Sequence, residues 1–131
     1  MSNTVPSNPY HYLDFDRALE KMGDLPALTD LLAMLQVSLT RDVPRIEELL
    51  AQDNVLLANR MLHALKGFIP IFCGDALCDE VADLEQLSRT GSAAEVATAY
   101  ASLSAKLGLL RQDVAHSLRA GDVLFESGCA D

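Results

Sequence analysis

Residues 92–121 read SAAEVATAYASLSAKLGLLRQDVAHSLRAG, and this stretch decides the fold class. Its apolar positions Val96, Tyr100, Leu103, Leu107, Leu110, Val114 and Leu118 recur at alternating steps of three and four, the spacing that lines one face of an α-helix. Ser92 and Glu95 form an S-x-x-E capping box at its start, and Arg119 and Gly121 supply a basic last turn and a stop. A helix with one buried face needs other helices to bury it.

Upstream the same period recurs. A short helix is expected over about Leu13 to Met22, with Asp14 as N-cap and Gly23 as stop. A second runs from after Asp24 to about Gln52 on Leu28, Leu32, Leu35, Leu39, Val43, Ile46 and Leu50, with Pro44 predicting a bend or break near Leu39 to Thr40. Asp53 is the expected cap of a third helix with an inner stripe of Ala58, Leu62, Leu65, Ile69 and Phe72, kinked in its second half by Pro70. Asp75 opens a fourth, with Leu77, Val81, Leu84 and Leu87 inward and Gly91 closing it. Short loops between long amphipathic helices predict an all-α fold, an antiparallel up-down four-helix bundle with a short extra N-terminal helix. Residues 1–12 read as a leader or linker, 13–121 as the bundle and 122–131 as a C-terminal tail.

Composition agrees. Leu and Ala number 23 and 17 in a chain of 131 residues, against 16 Val, Ile and Thr together, a balance that favours helix over strand. No uncharged run approaches the roughly 18 residues that span a bilayer, so no transmembrane helix is expected. Ten basic against 19 acidic residues give a net charge of −9, which repels nucleic acid and anionic lipid and points to a protein partner. Cys73, Cys78 and Cys129 are odd in number and lack CxxC spacing, so a disulfide framework and a structural zinc site are not expected, and a reducing cytoplasm is.

Chemistry concentrates in Leu62-His63-Ala64-Leu65-Lys66-Gly67, in the middle of the third helix. Leu62 and Leu65 belong to the buried stripe, so His63 turns outward, with Arg60 one turn before it and Lys66 and Gly67 one turn after on the same face. Two neighbouring cations disfavour a third positive charge, which leaves the imidazole a free lone pair. Glycine in mid-helix costs up to about 1 kcal/mol relative to alanine, so Gly67 points to another molecule that must approach the backbone there.

These residues resemble the histidine-containing phosphotransfer domains of multistep two-component relays, whose pattern is H-x-L-K-G with a downstream L-E. The matching positions are His63, Leu65, Lys66, Gly67 and Leu84-Glu85, and the resemblance covers roughly Leu13 to Arg119. It implies that His63 Nε2 accepts a phosphoryl group from the aspartate of one receiver domain and passes it to another, with Lys66 and Arg60 holding the phosphate and Gly67 giving access. It further implies that Leu56, Phe68, Pro70 and Gly74 border the face a receiver covers, that the chain brings no cofactor of its own, and that the receiver supplies Mg²⁺. No autokinase activity follows, because no nucleotide site is visible. A monomer in the cytoplasm, free-standing or as the cytosolic module of a membrane-bound hybrid sensor kinase, is the implied setting. The chain departs from the family in two places: after Gly67 it reads Phe68-Ile69-Pro70-Ile71-Phe72 where the family carries small or polar residues, and Cys73 takes the place of a second glycine, with Gly74 next to it.

Other readings weigh less. The dimerisation helices of a sensor kinase want Glu after the histidine, where Ala64 stands, and a di-iron bundle wants paired E-x-x-H motifs, to which only Asp113 to His116 comes near. A bundle that binds receivers and regulates a pathway without transferring phosphate is the alternative function. His11 and His116 are expected to carry no chemistry, and Cys73 and Cys78 to be small buried apolar groups.

Overall fold

The computed structural model describes the backbone of residues 10–130 and the side chains of residues 10–120. It is all-helical, with α1 (Phe15–Met22), α2 (Leu25–Ala51), α3 (Val55–Phe72), α4 (Asp75–Thr90) and α5 (Ala93–Ala130). Helix α2 packs on α5 and α3, and α4 packs on α3 and α5, while α1 lies against α2 and α3. The leucines of the expected stripes close one core: Leu28, Leu32, Leu39, Leu62, Leu65, Leu103 and Leu107 are all buried. At about 25 cal/mol per Å² of apolar surface, burial of this kind is the main force holding the helices together.

The ends follow local chemistry. Asp14 accepts from Arg17 N at 3.1 Å, and Gly23 closes α1 in the left-handed region at φ 87° with its N–H on Leu19 O. Asp24 accepts from Ala27 N at 2.7 Å. The capping box of α5 is reciprocal, Ser92 N to Glu95 Oε1 at 3.0 Å and Glu95 N to Ser92 Oγ at 3.1 Å.

Three expectations are corrected. Asn54, not Asp53, caps α3, accepting from Leu57 N at 3.3 Å. Asp53 stands at φ 61° in the link, which moves the cap one residue on. Helix α2 runs through Pro44 without a break at Leu39 to Thr40: the carbonyl that proline leaves unpaired belongs to exposed Thr40, where water can meet it. Helix α3 runs through Pro70 to Phe72, the last position of its expected stripe. The backbone of α5 continues beyond Gly121 to Ala130, over the expected tail, since a glycine with no following proline costs a helix only about 1 kcal/mol.

Residues 1–9 of the expected leader, residue 131 and the Cys129 side chain lie outside the described residues. Residues 10–12 are tied down: Tyr12 N and Leu13 N donate to Asp113 Oδ2 at 2.8 and 3.2 Å, and His11 Nδ1 lies 3.0 Å from Asp113 Oδ1. Asp14 N then donates to Phe72 O at 2.7 Å, which fixes the start of α1 to the end of α3. Among the described residues α3 is long and apolar enough to cross a membrane by length and composition alone. Counting uncharged runs missed this because Arg60 and Lys66 interrupt it; here its stripe from Ala58 to Phe72 is buried against the other helices.

Candidate functional site

His63 sits at the middle of α3, between the buried side chains of Leu62 and Leu65, and its own side chain is 68% exposed. Its Nδ1 lies 3.8 Å from Oε2 of Glu85 on α4, beyond hydrogen-bond length but in electrostatic contact. Lys66 Nζ, one turn on, is 3.5 Å from Glu85 Oε1.

Glu85 is the centre of the arrangement. It is only 1% exposed, and a carboxylate taken out of water to that degree needs charge and hydrogen bonds around it. Arg89, four residues on in α4, supplies a two-point contact, Nε to Oε2 at 2.8 Å and Nη2 to Oε1 at 2.9 Å. Asn59 Nδ2, on α3 one turn before His63, reaches Glu85 Oε2 at 3.1 Å and Ser88 Oγ at 2.8 Å, and Ser88 Oγ donates to Glu85 O at 2.6 Å. The hydrogen bond from Arg89, opposed by burial and helped by Asn59 and the charges of Arg89 and Lys66, holds the Glu85 carboxyl down to about 2. The carboxylate is therefore charged throughout the neutral range, directly beneath the histidine.

Gly67 is exposed, and a Cβ placed on it would meet nothing within 4 Å. No packing within the protein requires glycine there, so the backbone at that turn is open to an approaching molecule. Gly74, which precedes α4, is equally free of close neighbours. Leu56 is 66% exposed, whereas Phe68 and Ile71 are half-buried against the core. Pro70 is half-buried, and its carbonyl accepts from Lys21 Nζ of α1 at 3.0 Å. The expected site residues thus share α3 and its exit, with Leu56 at the N-terminal end and Pro70 two turns beyond His63.

Arg60 is exposed, but the cations on Glu85 are Lys66 and Arg89. To the two cations expected on α3 the fold adds a third from α4, and a carboxylate joins them. Arg89, Asn59 and Ser88 were not singled out by sequence reasoning. The signal was present for one of them, since Glu85 and Arg89 are four apart, the spacing of a helical ion pair.

The remaining titratable groups lie elsewhere. Burial pushes the Cys73 thiol up to about 12, which makes it an inert apolar group. Tyr10, His11, Asp113, His116 and Arg119 border an open cleft of about 380 Å³ on α5 and the segment before α1. Among the described residues no group of three or more His, Cys, Asp or Glu is arranged to hold a metal ion. Comparison of the chain with family models, with curated proteins and with solved structures gives no match.

Proposed function

We propose that this chain is a phosphorelay intermediate, which accepts a phosphoryl group on His63 from a receiver-domain aspartate and passes it to a second receiver. In this reading the five helices form an antiparallel four-helix bundle of α2 to α5, with α1 as the short extra helix. The observation that carries it is His63 itself: an exposed imidazole at mid-helix whose Nδ1 faces a charged carboxylate, with a lysine and a side-chain-free turn directly beyond it. A carboxylate beside Nδ1 favours the proton there and leaves the Nε2 lone pair for the phosphorus atom.

Beyond the attacking nitrogen, phosphoryl transfer asks chiefly for positioning and for neutralised oxygens. Nε2 forms the P–N bond as the aspartyl P–O bond breaks, and the electron pair stays with the departing carboxylate. Lys66 is a cation on the same face one turn beyond the histidine, and Gly67 admits the rim of the receiver. Mg²⁺ belongs to the receiver, and the chain has no kinase activity of its own. It works as a monomer on the cytoplasmic side, either alone or as a module of a hybrid sensor kinase.

The test is to mix the chain with receivers carrying labelled aspartyl phosphate. Label should move to the chain as an acid-labile, base-stable phosphoramidate, with none taken from ATP alone. His63→Gln should take no label while keeping its helical signal, since an exposed substitution changes stability by about 0.5 kcal/mol or less. Binding of receivers without movement of label would replace this reading by that of a non-transferring regulator.

A further inference from the structure

Two carboxylates are buried among the described residues, Glu85 and Asp113, and they are treated differently. Asp113 is met by N–H groups of the segment before α1. Glu85 lies beneath the exposed imidazole, with two cations that are themselves partly in water, Lys66 and Arg89. A phosphoryl group on Nε2 would bring a charge of about −1.5 to −2 to a site whose centre is already negative.

Glu85 acts on that group in two ways. Its charge repels the phosphoryl oxygens, and it favours the ring protonated at Nδ1, the form in which a neutral imidazole can depart. Both shorten the life of the P–N bond. Arg89 counters both, because it takes the two carboxylate oxygens at once, at 2.8 and 2.9 Å. Since it meets the same oxygens that face His63 and Lys66, the charge it neutralises is withdrawn from both. The other charged groups about the histidine are Arg60 and Lys66 on α3.

Resting on the phosphotransfer reading above, we propose that Glu85 sets the lifetime of the phosphoryl group on His63, and that Arg89 moderates it by acting through Glu85 rather than by touching the phosphoryl group. Arg89 is on this account a positioning residue. In spontaneous loss a water oxygen bonds to phosphorus, the P–N bond breaks, its electron pair returns to Nε2, and the ring keeps the Nδ1 proton and leaves neutral with inorganic phosphate.

The experiment needs no receiver. The full chain is phosphorylated with potassium phosphoramidate, whose own P–N bond breaks with release of ammonia, the donor is removed, and decay of phosphohistidine is followed by ³¹P NMR at pH 7. Glu85→Gln should lengthen the half-life about three- to tenfold, the scale of one charge pair a few ångströms apart in water-like surroundings. Arg89→Ala should shorten it by a similar factor, and Arg89→Lys should fall between, which also serves if the alanine variant does not fold. With Glu85→Gln already present, Arg89→Ala should change nothing. A half-life that still falls in that background means that Arg89 holds the phosphoryl oxygens directly, and an unchanged or shorter half-life in Glu85→Gln itself overturns the role of the carboxylate. Should phosphoramidate label His63 while no phospho-receiver does, the relay reading fails and the role of Glu85 is still measured.

Discussion

A side chain grown at Gly67 would enter open space, so the residue is spare in the fold and informative about what approaches it. Gly67→Gln should leave the melting temperature level or raise it, because glutamine is the better helix former by up to about 1 kcal/mol. Transfer to and from receivers should slow at least tenfold in both directions, while chemical phosphorylation by a small donor proceeds as before. Stopped-flow or rapid-quench comparison of the two donors checks this, and equal rates with a receiver would make the glycine incidental. The motif on α3 was legible at this scale because its spacing is local: His63, Lys66 and Gly67 share a face by helical geometry alone. Arg89 and Asn59 were not, since their meeting at Glu85 depends on how α3 and α4 pack, which no single-helix pattern encodes.

At the scale of the element, the helix ends were legible wherever a side chain could be matched to a free N–H, as at Asp14, Asp24 and Ser92. The exception is the α2–α3 link, where Asp53 and Asn54 are both competent caps and the backbone decides between them. Asp53 takes φ 61°, a conformation that costs an L-residue energy, and Asn54 N donates to Leu49 O at 2.8 Å. Asn54→Ala should therefore lower stability by about 0.5 to 2 kcal/mol, the cost of a lost cap. Asp53→Gly should be neutral or stabilising, because glycine adopts that φ freely and its extra unfolded-state entropy offsets part of the gain. Urea midpoints of the two variants decide the matter: the reverse order would return the cap to Asp53. The break expected from Pro44 fails for a related reason. Pro44 and Pro70 each remove one donor, and the expected break in α2 does not occur where the unpaired carbonyl faces water.

Across the whole molecule, the contact that sequence patterns do not reach is the one between residues about a hundred positions apart. Asp113 stands one step before Val114 of the last stripe, and the helical period gives it no partner. In the folded chain it is 4% exposed and accepts from Tyr12 N and Leu13 N, with His11 beside it, so the segment before α1 is fastened to α5. Burial alone would push its carboxyl up, yet the hydrogen bonds from Tyr12, His11 and Leu13 outweigh it and hold the group below the ordinary aspartate range. A depressed folded value means that the fastening is fully present above the unfolded value and is lost only as the pH falls through the folded one. At neutral pH it is intact. Asp113→Ala would orphan the buried N–H of Leu13, at a cost of about 1 to 3 kcal/mol, and the half-buried N–H of Tyr12, which water can partly meet. Hydrogen exchange at pH 7 should then show the amides of Tyr12 and Leu13 losing protection by two or more orders of magnitude, with the middle of α3 and α4 keeping theirs. Label uptake by His63 should stay within twofold of the parent chain, because Glu85, Lys66 and Arg89 make no contact with the fastened segment. Unchanged protection at Leu13 would show that the bridge of Leu13 to Cys73 and the Asp14 N to Phe72 O bond hold the segment without Asp113. Protection lost together in α3 would show instead that the fastening and the site form one cooperative unit.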